Sequence, residues 1–400
     1  CSSMLVGGIV LTGPGGWMTW ATPFGSEVAQ VRSPGSLHNR WCCDPELKPP
    51  SKMSRQIIIS IFLTVVLLLL GVRWLAGLDL DQGERRQATV ALGNTLFQDT
   101  TLSARRTLAC SSCHDPSKAF AQDIAVPIVY GQRTGTRNVP SLLDLPYFTH
   151  FFWDGREEKL ERVAVAAFTN QAEMAQPDMS VLIKAVSQRL DYRTQFKAAF
   201  GDERVDQERI SSAILAYLAS VTTGRSRYDA FVAGNTTALT TAERRGLDVF
   251  RGKADCSSCH ALNGTPAAFT DNRFHHSNVG MDRMAGQIST TIESFKTKRE
   301  QGVPVAELVL SDPDMAALGR FAISGQGNDL AAYRTPTLRN VTRTPPYMHD
   351  GSVQNLEEAI QREIYYRSLS RGTPISLTAG EKNDLYAFLH ALEDLPNNAH

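Results

Sequence analysis

A mainly α-helical body of two similar small domains, behind an N-terminal apolar segment, is what this 400-residue sequence predicts. Three observations carry that prediction. The pentapeptide Cys110-Ser-Ser-Cys-His114 recurs letter for letter as Cys256-Ser-Ser-Cys-His260. Each copy follows a segment with apolar residues at helical spacing and precedes another such segment. A gapless internal repeat also links the halves. Pro140-Ser-Leu through Asp154-Gly155 and Leu160-Glu161 overlays Pro336-Thr-Leu through Asp350-Gly351 and Leu356-Glu357, 196 positions later.

Residues 1–52 are rich in Gly, Ser, Pro and Trp and show no helical or strand period. They read as an artefactual or disordered extension, with translation expected to start at Met53. Residues 53–81 read as a signal peptide or transmembrane anchor. Lys52 and Arg55 precede an apolar run from Ile57 to Val72, Arg73 follows it, and Trp74 to Leu78 extends it. No small-x-small cleavage site follows, so an uncleaved anchor over residues 57–76 is favoured. The body is then exported.

The first domain is expected over residues 82–234. Leu92, Leu96 and Phe97 form one helical stripe, and residues 207–222 carry Ile210, Ile214, Leu215, Leu218 and Val221 on another. Ala233-Gly-Asn-Thr-Thr reads as a linker. The second domain, residues 235–400, opens with a capping box, Thr240-x-x-Glu243, ahead of Leu247 and Phe250. A matching box, Thr378-x-x-Glu381, opens the last helix with Leu385, Phe388, Leu389 and Leu392. The pentapeptides are only 146 positions apart, so the second half carries about 50 extra residues before the repeated segment. They fall within 273–331, where apolar periodicity is weak. A long excursion that covers a site or faces a partner is expected there.

Cys-x-x-Cys-His is the attachment signature of a c-type haem: two thiols bond the macrocycle and the adjacent imidazole reaches the iron. Two covalently bound haem c groups are therefore expected, on Cys110, Cys113 and His114, and on Cys256, Cys259 and His260. Helix, pentapeptide, loops and helix is how a class I cytochrome c wraps its haem. The remaining cysteines, Cys1, Cys42 and Cys43, leave no disulfide framework for the body. Lys+Arg and Asp+Glu are equal at 41 each. That balance gives no pull toward nucleic acid, and membrane contact is expected only through the anchor.

Leu92-Gly-x-x-Leu-Phe-x-Asp99 and Cys110-Ser-Ser-Cys-His-Asp-Pro-x-x-Ala-Phe120 resemble the bacterial dihaem cytochrome c peroxidases and their MauG relatives. So do Arg137-Asn-Val-Pro-Ser, Phe152-Trp-Asp-Gly-Arg156, Glu173-Met174, Thr335-Pro-Thr-Leu-Arg-Asn340 and Pro346-Tyr-Met-His-Asp-Gly351. The resemblance spans roughly residues 85–395. It implies a peroxide site at the first haem and electron exchange with the second. It implies that Glu173 is the distal acid, which moves the proton between the peroxide oxygens, and that Trp153 lies between the haems. It further implies a calcium ion at the domain junction, with Asn138, Thr344 and Pro346 as oxygen ligands.

The sequence departs from that pattern twice. No histidine occurs between His114 and His150 to cap the first iron. The first haem is therefore expected to be open and high-spin without reductive activation, as in MauG-type members. Where the family places Met or Tyr, fourteen residues beyond His349, the chain has Glu363. It is the first choice for the sixth ligand of the second haem, ahead of Tyr366 and Tyr365, with Met348 and His349 conceivable. The repeat-equivalent of Glu363 is Ala167, which cannot bind iron. An anionic ligand favours higher oxidation states, so a second haem well below Met-ligated potentials is expected.

The expected function is a periplasmic dihaem peroxidase that reduces hydrogen peroxide, with electrons from a small c-type cytochrome or a cupredoxin. The alternative within the family is MauG-like oxidation of residues on a protein substrate. A dihaem electron carrier is the alternative of another class; it requires both irons saturated and no distal acid.

Overall fold

The computed structural model describes residues 55–395 except 222 and 265, and the side chains of 55–59, 61–62 and 69–80 also lie outside that description. The expected extension 1–52 and the start at Met53 fall outside it. The chain divides into two units, residues 1–71 and 72–400. In the first, the described residues 55–71 are helical, and Leu63, Val65, Leu67 and Leu68 are exposed. They belong to a helix that spans Arg55–Gln98. Among the described residues no helix is long and apolar enough to cross a membrane.

The second unit is mainly helical, and the sequence repeat is visible in how its helices cross. The end of helix Arg55–Gln98 meets helix Gln207–Ser220 at Gly93, where a Cβ would lie 1.9 Å from the Ala213 carbonyl oxygen. Helix Thr241–Arg251 meets Ala379–His390 in the same way: a Cβ on Gly246 would lie 1.9 Å from the Asp384 oxygen. Only glycine lets two helix backbones approach so closely. Four residues after each glycine an aromatic ring packs on its partner helix, Phe97 on Tyr217 at 5.3 Å and Phe250 on Phe388 at 5.2 Å. Both predicted capping boxes form, with Thr240 and Glu243, and Thr378 and Glu381, each exchanging side-chain to backbone hydrogen bonds.

Each crossing has its own core. Leu92, Leu96, Phe168, Tyr192, Phe196 and Ile210 are buried around the first. Tyr228, Leu247, Phe250, Phe269, Leu385 and Phe388 are buried around the second. Burying each such side chain contributes about 1.5–3 kcal/mol. Tyr228, on the short helix Arg227–Val232, thus packs into the second core, as does Leu239 just beyond the predicted linker.

The repeat extends to backbone dihedrals. Asp144 and Asn340 are both left-handed (φ 64° and 54°), as are Phe152 and Met348 (64° and 69°). Phe151 bridges Glu157 and Tyr347 bridges Val353, again 196 positions apart. Equivalent positions also join the halves reciprocally. The amide of Asn138 donates to the His349 carbonyl at 2.8 Å, and the amide of Arg334 donates to the Trp153 carbonyl at 2.9 Å. Positions 138 and 153 become 334 and 349 under the same offset, so the junction is a pseudo-two-fold contact.

The stretch 273–331, expected as a long excursion that covers a site or faces a partner, is helical despite its weak periodicity. It contains five helices, the longest Ile288–Glu300, and buries Met284, Phe295, Leu308, Val309, Met315 and Leu318 in a core of its own. Four of the helices are seven residues or shorter. Each contributes one to three apolar residues, too few for any window to show a period. The stretch packs back on the first half. Val309 accepts a hydrogen bond from the Thr136 hydroxyl at 2.6 Å, and Ala316 accepts one from Arg137 at 2.9 Å. The strand Phe274–His276 at its start pairs antiparallel with Ala332–Arg334 just beyond its end.

Candidate active site: two cavities that share one wall

Each pentapeptide lines a largely apolar cavity. Cys110, Cys113 and His114 line the first, with Leu142, Phe151, Ala167, Ile214 and Leu310. Cys256, Cys259 and His260 line the second, with Phe250, Met348, Leu356 and Ile360. Trp153, Arg334 and the segment Asn138–Ser141 line both and form the wall between them.

Both histidines are set up in the same way. His114 Nδ1 hydrogen-bonds the Phe120 carbonyl at 3.1 Å, and His260 Nδ1 the Phe269 carbonyl at 2.9 Å. A carbonyl on Nδ1 fixes the tautomer and leaves Nε2 as the ligating nitrogen. Burial lowers His114 to about 4 and lowers His260 as well, so both imidazoles are neutral, the form that binds iron. All four cysteines are free thiols. Burial pushes Cys110 up to about 12, Cys113 to about 11 and Cys256 to about 12. Paired thiols and a carbonyl-held imidazole beside an apolar cavity fit a c-type haem in each half. Cys259, Asp271 and His275 also bring three ligand-type atoms within 4.8 Å. Cys259 belongs to the second pentapeptide and lines the second cavity with His275, so the cluster is part of the same site.

The carboxylates differ between the halves. Helix Leu160–Thr169 ends after ten residues, and a turn held by Asn170 carries Glu173 onto the first cavity. There the Glu173 amide donates to the Asn170 carbonyl at 3.0 Å, and Met174 closes back on Ala167 at 3.1 Å. Burial raises the Glu173 carboxyl above its usual range, and the positive Arg156 opposes the shift. Arg156 lines the same cavity, lies 3.7 Å over the Phe152 ring, and pairs with the buried Asp154 at 3.1 Å. Asp154 also holds Arg137, at 2.6 Å.

In the second half the equivalent helix, Leu356–Arg371, continues for sixteen residues. Glu363 is exposed and lines the second cavity. Its carboxyl is raised by the mass around it, against the charges of Arg367 and His275. Ala167, its counterpart, lines the first cavity. Tyr365 and Tyr366 pack against each other, ring centroids 5.2 Å apart, and neither lines the cavity. Met348 and His349 do line it. His349 stacks on Tyr333 at 3.8 Å, and burial lowers it to about 3.

Trp153 donates from Nε1 to the Asn138 carbonyl at 2.8 Å, which fixes its indole in the shared wall. Asn138, Thr344 and Pro346, the predicted calcium ligands, all line the second cavity. The Asn138 amide nitrogen donates to Ala125 at 3.1 Å, so its side-chain oxygen is left for another partner. Sequence reasoning missed Arg156 and Arg334 as wall residues. Arg156 stands inside a quoted motif and Arg334 beside one, but nothing in their spacing distinguishes them from surface arginines.

The sequence model described as di-haem cytochrome c peroxidase matches residues 87–237. Cytochrome-c peroxidase IdrP1 of Pseudomonas sp. (strain SCT) is 30% identical over 315 residues, 76% of this chain and 80% of that protein. The methylamine utilization protein MauG of Methylophilus methylotrophus is 29% identical over 312 residues, 76% and 81% respectively. Among solved structures, a MauG-like protein associated with microbial copper homeostasis superposes with a TM-score of 0.61 at 31% identity, covering 77% of this chain and 89% of that one.

Proposed function

The chain belongs to the di-haem cytochrome c peroxidase family and is a peroxidase-type oxidoreductase; from that premise we propose that it reduces hydrogen peroxide in the first cavity, with Glu173 as its acid–base group. The observation that carries this reading is the position of Glu173. It is the acidic residue among those lining the first cavity, which Cys110, Cys113 and His114 also line. Cys110, Cys113 and His114 would hold the haem there, and its iron, when bound, would provide the redox chemistry for O–O cleavage. The protein supplies the proton movement. A carboxyl raised by burial accepts the proton of the incoming peroxide oxygen and returns it to the leaving one. The positive Arg156 opposes that rise. Among the described residues no histidine other than His114 lines this cavity, which supports an open iron that needs no reductive activation.

In this reading residues 82–234 and 235–400 are two class I cytochrome c-like domains, each with one covalent haem c. The matching helix crossings support it. The second haem is the electron reservoir. Glu363 is its ligand, since Tyr365 and Tyr366 lie off the cavity. Trp153 carries charge through the shared wall, and calcium sits at the junction on Asn138, Thr344 and Pro346. Electrons come from a small c-type cytochrome or a cupredoxin. The body works in the periplasm, tethered by residues 57–76. A second use, oxidation of residues on a partner protein, is favoured by one feature: a carboxylate at the second cavity where a thioether would raise the potential.

The test is rapid mixing of ferric holoprotein with hydrogen peroxide. Glu173→Gln should slow the reaction by about 10² to 10⁴. A variant that reacts at the wild-type rate would remove Glu173 from the mechanism.

A further inference from the structure

Among the described residues three arginines are buried: Arg137, Arg334 and Arg339. Two have carboxylates in reach. Arg137 donates to Asp154 at 2.6 Å, and Arg339 holds Asp229 at 2.7 and 2.8 Å. Arg334 is 7% exposed, and among the described residues no carboxylate lies within salt-bridge distance of it. Its Nε reaches the Phe152 carbonyl at 3.4 Å and its Nη1 the Thr335 carbonyl at 3.2 Å. The guanidinium lies 4.3 Å over the Phe148 ring. Main-chain oxygens and a ring face satisfy part of the fork but bring no negative charge. Burial lowers this arginine only to about 10, so it stays a cation at neutral pH.

A buried, uncompensated cation is costly and persists where an anion completes it. Arg334 lines both cavities, and its main-chain amide is pinned to Trp153 in the wall between them. An anion that reaches it therefore comes from within a cavity. Its repeat counterpart is Asn138, a neutral residue whose amide is satisfied by the Ala125 carbonyl. The charge is thus a single feature of an otherwise duplicated wall.

We infer that Arg334 is the anion-binding residue of the wall and takes carboxylate groups of the cofactors in both cavities. This rests on the reading that each cavity holds a haem, whose propionates are the carboxylates in question. A planar fork at a residue that lines both spaces suits two carboxylates better than a point charge does. The guanidinium then stabilises the reduced, more negative state of each haem and ties the two potentials to one residue. Arg334 is a positioning residue: it acts through the cofactors and touches no peroxide.

The test is a spectroelectrochemical titration of the holoprotein after its haem content is measured. In Arg334→Gln both reduction equilibria should shift about tenfold toward the oxidised form, 59 mV for a one-electron couple. Arg334→Lys should stay within about threefold of wild type, because it keeps the charge. Two haems per chain with both couples unmoved in Arg334→Gln would overturn the inference, and so would movement of one couple alone. Couples that follow chloride concentration would assign the site to a free anion and also overturn it. If Arg334→Gln does not accumulate, resonance Raman of Arg334→Lys decides. The propionate bending modes of both haems should move when the fork is lost, and unmoved modes count against the inference. A wild-type protein with fewer than two haems would instead defeat the two-haem reading, a separate failure.

Discussion

The two cavities have the same attachment residues, the same carbonyl-held histidines and a wall in common, yet they present their carboxylates from different backbone. In the first half a helix stops at Thr169 and a turn delivers Glu173. In the second the same helix runs on to Arg371 and delivers Glu363 from its side. The eighth residue of that helix, Ala167 in one half and Glu363 in the other, is therefore what separates the halves, together with the turn that brings in Glu173. Glu173 is thus presented from a turn, and Glu363 from a helix. A side chain on the helix that backs the cavity is held by its turns and suits a fixed ligand. The repeat gives two matching cavities, and one substitution at a shared helix position gives the second a carboxylate that the first lacks there.

The largest expected effect comes from erasing that difference. Ala167→Glu gives the first cavity the carboxylate of the second. The first haem should become six-coordinate in the resting spectrum, and the peroxide reaction should fall by about 10² to 10⁴, as much as loss of the acid itself. An unchanged spectrum and rate would show that the two helix faces are not equivalent.

A second comparison concerns Asp144 and its counterpart Asn340, which share a left-handed backbone. Asp144 is buried; it accepts from the Thr223 hydroxyl, while its Oδ2 has no hydrogen-bond partner. Burial raises this carboxyl from 3.8 to about 6, against the help of Thr223 and Arg339. Folding therefore favours the protonated form. That contribution is fully present below the unfolded value and is lost as pH rises through about 6. Asp144→Asn, which copies the second half, should leave urea stability unchanged near pH 4 and raise it by up to about 3 kcal/mol above pH 6. Equal gains at both pH values would contradict the burial argument.

The smallest effect on stability is expected at the wall. Trp153→Phe removes the indole donor to Asn138, at about 1 kcal/mol. Flash reduction of the second haem should then show slower re-equilibration with the first. Unchanged exchange with the bond lost would leave Trp153 as packing alone.

Much of this was legible in the sequence because its signals are local. A threonine three residues before a glutamate caps a helix wherever it occurs, and both boxes form. The gapless offset of 196 held down to single left-handed residues. Glu173 could be singled out only by its motif, since a turn that follows a helix end leaves no period. Arg334 was invisible for another reason. Its meaning lies in the carboxylate that is not beside it, and a sequence does not show which acids are absent from a neighbourhood. The core of 273–331 was hidden because it is shared among helices too short to repeat.

That same stretch fixes an order of assembly. Leu310 is part of the first cavity's lining, and Thr136 and Arg137 are held by residues 173 and 179 positions later. A product that ends at residue 234 would contain both crossed helices of the first half and its attachment cysteines, but not that wall. The half made first is thus finished last. Its site closes only once the chain has emerged through Arg334, so the first cavity cannot be sealed before the second half is being made.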